Sequence, residues 1–81
     1  MEINNIIIGN RVKGLLSIKN ISREELSKRM GISYNTLTKK INGKREFGTN
    51  DLIKMKEIFN LNPIDCGNIF FNPEFLIEKQ K

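Results

Sequence analysis

Few side chains in this 81-residue sequence could do covalent or acid–base chemistry, and their spacing argues against catalysis. There is one cysteine, Cys66, and no histidine. A Cys/His metal site and a Cys–His nucleophile pair are therefore out of reach, and no internal disulfide can form. The acids Glu24, Glu25, Asp51 and Asp65 stand at the starts of helical segments, where capping and the helix dipole account for them. Gly9, Gly14 and Gly31 match no phosphate-cradling spacing. The sequence predicts a protein that is not an enzyme and needs neither metal nor cofactor. A lone thiol fits a reducing, cytoplasmic setting. Ile6-Ile7-Ile8 is too short for a membrane span or for the apolar core of a signal peptide, so a soluble, unprocessed chain is expected.

What the sequence offers instead is concentrated positive charge. The formal net charge is +5, and residues 22–45 hold seven basic and two acidic groups. Residues 1–21 hold three and one, while residues 46–81 reverse the balance with four and six. A basic centre of this kind favours an anionic partner such as nucleic acid or anionic lipid.

The elements that must carry this charge read as helices. A chain of this length buries only about 60 to 65% of the surface its unfolded form exposes, which suits one compact all-α bundle of about five short helices spanning residues 1–81. A first helix is expected from about Asn5 to Ile18, with Ile8, Val12, Leu15 and Leu16 on one face. Gly9 and Gly14 weaken it, so it must lean on tertiary packing. A second opens at Ser22, where Ser22-Arg23-Glu24-Glu25 has the form of a capping box, and ends at Gly31. A third follows Ser33, turns Leu37 and Ile41 inward and stops at Asn42-Gly43, leaving Tyr34, Asn35, Thr38 and Lys39 outside. A fourth starts near Thr49 or Asn50 and buries Leu52, Met55 and Phe59, and a fifth runs from Asn62-Pro63 to just before Asn72-Pro73. Residues 74–81 form a short tail.

Two short helices joined through Gly31, with about three residues between them, have the geometry by which one helix braces on a DNA backbone while the next enters the groove. Residues 22–43, SREELSKRMGISYNTLTKKING, resemble the helix-turn-helix of the lambda repressor, Cro and XRE-like family of phage and bacterial regulators. A typical pattern there is eLAkxlGis…tlsrxlnG. The resemblance extends over roughly residues 5–71, although only the 22–43 block is specific. Ser27 stands where that family usually has alanine, at a tight helix crossing, so its hydroxyl must find a partner. Lys40 takes a place that is often leucine, and the inward role passes to Ile41.

The resemblance implies base reading by Tyr34, Asn35, Thr38 and Lys39. Their chemistry suits it: asparagine can bond adenine at N6 and N7, lysine can donate to guanine, and the threonine methyl can meet a thymine methyl. Phosphate contacts fall to Ser22 and Arg23 at the second helix's N-terminus, and to Asn42, Lys44 and Arg45 after the third. Arg11 in the first helix is a further phosphate candidate by the same resemblance. Lys28 and Arg29 read instead as surface charges paired with Glu24 and Glu25.

These features imply a transcriptional regulator on a double-stranded DNA operator, of the phage or prophage Cro or repressor kind. A monomer this small reads too few base pairs for selectivity, so a homodimer on a two-fold operator is expected. The C-terminal apolar cluster, with Phe71, Phe75 and Ile77 facing outward, is the candidate dimer surface. The alternatives are an antitoxin of the same fold, or an interaction module whose apolar patch holds a protein such as a toxin or antirepressor.

Overall fold

Each helix begins and ends on a signal that is local in the sequence. In a computed structural model, which describes residues 3–75, α1 spans Asn5–Lys19, α2 Arg23–Met30, α3 Tyr34–Ile41, α4 Thr49–Ile58 and α5 Pro63–Phe71. The fold is an all-α bundle with a helix-turn-helix at its centre. At four N-termini the side chain of the residue before the helix accepts an amide hydrogen: Asn4 from Ile7, Ser22 from Glu25, Ser33 from Thr36 and Asn62 from Asp65. These bonds satisfy donors that the first turn of a helix leaves without intrahelical partners. At the fourth helix the acceptor comes from inside: Asp51 takes the Gly48 amide at 2.8 Å, and its charge lies favourably in the first turn.

The capping box forms only in part at α2. Ser22 Oγ accepts the Glu25 amide at 3.0 Å, but the Glu25 carboxylate pairs with Arg29 Nε at 2.8 Å, one turn on, rather than returning to Ser22. Gly31 ends α2 in the left-handed region at φ 72°, a conformation glycine adopts without steric penalty. The amides of Gly31 and Ile32 then donate to Lys28 and Ser27, turning the chain into α3.

The core gathers one side of every helix. Val12, Leu26, Leu37, Ile41, Met55 and Phe70 are all but inaccessible. Leu52 and Leu16 are half-buried at its edge, and Phe47, in the loop before α4, is buried. The α1 segment lacks a continuous apolar stripe because Gly9 and Gly14 are among its buried residues. Gly9 has a packing reason. A β-carbon built there would lie 1.9 Å from the Ile41 carbonyl oxygen, so the backbones of α1 and α3 meet where only a hydrogen fits. This crossing fixes the end of α3 and, through it, the helix's outer face.

Candidate nucleic-acid interface

The roll of α3 follows from its two anchored residues. Leu37 and Ile41 are at most 1% exposed and lie four residues apart on one face, which turns Asn35 and Lys39 to solvent. Tyr34, at the first position of the helix, is 46% exposed. Thr38 is half-buried, and its Oγ1 accepts a hydrogen bond from the Arg23 guanidinium at 3.3 Å. Arg23 is itself half-buried, at the start of α2, and Ser22 beside it is exposed. Past the C-terminal end of α3, Asn42, Lys44 and Arg45 are all exposed. The Lys44 amide donates back to Lys39 at 2.9 Å, which ties this basic turn to the helix.

Nine of the residues singled out for DNA contact thus form one connected band: Ser22 and Arg23, then Tyr34, Asn35, Thr38 and Lys39, then Asn42, Lys44 and Arg45. Its cations and hydroxyls can donate to phosphate oxygens, and its asparagine amides offer a donor and an acceptor side by side for a base edge. Lys28 and Arg29 are exposed on the later half of α2, and Arg29 is held by Glu25.

Arg11 does not join this band. It is 7% exposed, and its guanidinium donates to the carbonyl oxygens of Asn68 (3.0 Å), Ile69 (2.9 Å) and Phe75 (2.7 Å). The cation therefore caps the last turn of α5, where orphan carbonyls and the helix dipole both favour it. It also fastens the chain beyond α5 onto α1. Burial pulls its pKa below the ordinary arginine value, yet a guanidinium stays charged in a protein. An arginine in helix 1 of a basic chain reads as a phosphate ligand, and nothing in its local spacing marks a partner 57 or more residues away.

Two other cations are structural in a way the sequence did not reveal. Lys40 forms an ion pair with Asp51, joining α3 to the N-terminus of α4, with only 12% and 11% of the two side chains exposed. This is how a lysine occupies a place that is often leucine while Ile41 takes the apolar position. Lys54 donates to the Met30 carbonyl at 2.9 Å and caps α2. Ser27, buried at the α2 crossing, satisfies its hydroxyl on the Glu24 carbonyl at 2.8 Å.

The apolar C-terminal residues divide. Ile69 and Phe70 complete the core, whereas Ile64 and Phe71 are 75% and 63% exposed. Phe75, expected to face a partner, packs against the core with its ring 5.8 Å from the Arg11 guanidinium carbon. Ile77 lies outside the described residues. Phe71 belongs to an apolar groove of about 220 Å³ between α4 and α5, lined also by Thr49, Leu52, Ile53, Lys56 and Cys66. Ile53 is 51% exposed, and nothing in the sequence marks it, because a single apolar residue outside a helix's inward set is ordinary on a protein surface. Among the described residues no helix is long and apolar enough to cross a membrane, and no group of three or more potential ligands could hold a metal ion.

Comparison with known proteins agrees with this arrangement. The restriction-modification controller protein C.AhdI from Aeromonas hydrophila superposes with a TM-score of 0.67 at 20% identity, over 75% of this chain and 92% of that one. An addiction module antidote protein of a HigA family from Coxiella burnetii superposes with a TM-score of 0.62 at 22% identity, over 84% and 75%. At such identities these likenesses concern the fold. No curated protein matches the sequence at a significant level. The family model of the Cro/C1-type HTH DNA-binding domain matches residues 11–65, more than half of the chain and the whole of the α2–α3 band. The chain belongs to the Cro/C1-type helix-turn-helix DNA-binding family.

Proposed function

We propose that this protein is a sequence-specific regulator of transcription that binds double-stranded DNA as a homodimer on a two-fold operator, in the manner of a phage or prophage Cro or repressor. One observation carries the reading. The outer face of α3 presents Asn35 and Lys39 to solvent, between the N-terminus of α2 and the basic turn at Lys44 and Arg45. In the major groove, Tyr34, Asn35, Thr38 and Lys39 contact base edges, with Asn35 suited to adenine and Lys39 to guanine. Ser22, Arg23, Asn42, Lys44 and Arg45 contact phosphates on either side and set the register. The role is binding rather than catalysis. Asp51 is engaged by Gly48 and Lys40, and Glu25 by Arg29.

Phe71 and Ile53 mark the surface for the second copy, since the groove between α4 and α5 is apolar and open. The same groove favours one other reading, an antidote-type regulator that holds a protein partner there, in keeping with the likeness to an addiction module antidote. Selection of bound sites from a random DNA pool tests the proposal. A two-fold motif with half-sites about one helical turn apart supports it. A single half-site selected by a protein that stays monomeric on DNA would remove the dimer. Enrichment of no motif would remove sequence-specific regulation.

A further inference from the structure

The bond between Arg23 and Thr38 joins the phosphate-facing end of α2 to the middle of the recognition helix. Threonine in a helix divides between two side-chain rotamers. The guanidinium, donating to Oγ1 at 3.3 Å, selects one of them. The hydroxyl is then occupied within the protein, and the group that Thr38 still has to offer is its methyl. Arginine carries five N–H donors, so Arg23 can hold Thr38 and a phosphate together.

On the reading of α3 as a major-groove helix, we infer that Thr38 recognises the C5 methyl of thymine through its own methyl, and that Arg23 is the positioning residue that aims it. Thr38 thereby confers a thymine preference without a hydrogen bond to the base. The preference depends on a residue of the other helix, one that makes no base contact itself. Its size is that of one buried methyl group, about fourfold per half-site.

Deoxyuridine differs from thymidine only by that methyl, so replacing each thymine of a selected half-site in turn reads the contact directly. The measured quantity is the ratio of affinities for the thymine and uracil duplexes at low salt, which is independent of overall affinity. The wild type should show a ratio of about four at one position, and Thr38→Ser, which has no methyl, a ratio of about one. Thr38→Val should keep about four, because valine carries a methyl in both places that the threonine rotamers exchange. Arg23→Ala should lower the ratio to about 2.5, the average over two equally populated rotamers. The double variant Arg23→Ala/Thr38→Val should restore it. Loss of the preference in Thr38→Val would show that the hydroxyl reads the base and overturn the inference. So would an undiminished ratio in Arg23→Ala, or a wild type indifferent to uracil throughout the half-site. If the wild type binds no duplex selectively, the DNA reading itself fails, and that outcome is distinct from all of these.

Discussion

Replacing Gly9 by alanine should destabilise the protein, although alanine is much the better helix former. A β-carbon at this position would lie 1.9 Å from the carbonyl oxygen and 2.7 Å from the carbonyl carbon of Ile41. Carbon–oxygen contacts stay near 3.3 Å or more even when a weak hydrogen bond draws them together, so α1 and α3 must part by about 1.4 Å. The obstacle is backbone at the end of a helix, and no flexible side chain can move aside. Helix propensity returns about 0.5–1 kcal/mol, while overpacking of a filled core costs about 1–3 kcal/mol. A clash with backbone belongs in the upper half of that range, about 2–3 kcal/mol, so the net loss is about 1–2.5 kcal/mol, a Tm lower by about 4–20 °C for a chain of this size. Gly67→Ala supplies the control, since a β-carbon there meets nothing within 4 Å. It should raise Tm by about 2–8 °C through propensity alone. Circular dichroism melts at one protein concentration measure both, because association shifts Tm by mass action. A Gly9→Ala protein melting at or above the wild type would refute the claim that this glycine sets the α1–α3 crossing.

Further outcomes follow from the placement of the cations. Arg11→Ala should destabilise by about 2–4 kcal/mol through three orphaned carbonyl groups, yet leave the salt dependence of DNA affinity unchanged; a slope reduced by about one would restore Arg11 as a phosphate ligand. Lys40→Ala and Asp51→Ala should each destabilise by about 1–3 kcal/mol. In denaturant titrations the double variant should lose clearly less than their sum, because the pair is shared. Asn35→Ala and Lys39→Ala should each relax preference at particular base pairs, whereas Lys44→Ala and Arg45→Ala should weaken binding to all sequences alike and flatten the salt slope; fluorescence titrations on operator and scrambled duplexes separate the two behaviours.

The caps at Ser22, Ser33 and Asn62 were legible because each side chain bonds an amide only three residues on. Asn4, not singled out in the sequence, uses the same chemistry as Ser22, Ser33 and Asn62, which were. Gly31 declared the turn, and the Leu37–Ile41 pair declared the roll of α3. What escaped was set by partners distant in sequence. Glu25 had two competing acceptor roles, and Arg29, four residues on, won over the return bond to Ser22. Arg11 and Phe75 were both assigned to outside partners, and each found the other across the fold. Lys40 looked like a departure from the family pattern, but its charge is matched by Asp51 eleven residues away. Gly9 looked like a weakness in a helix, and only the neighbouring backbone explains it. In the band itself, sequence placed nine residues on one surface. The bond from Arg23 to Thr38 depends on the packing of α2 on α3, which no local pattern encodes.

The central claim, that the α2–α3 band is a DNA-binding surface, is tested most directly by titrating the protein with random-sequence duplex DNA across a range of salt. With six to ten phosphates engaged by a dimer, affinity should fall by about 10³ to 10⁵ between 50 and 200 mM salt, and Lys44→Ala/Arg45→Ala should flatten that dependence. Failure of the wild type to bind duplex DNA at low salt, or binding indifferent to both salt and these substitutions, would contradict it.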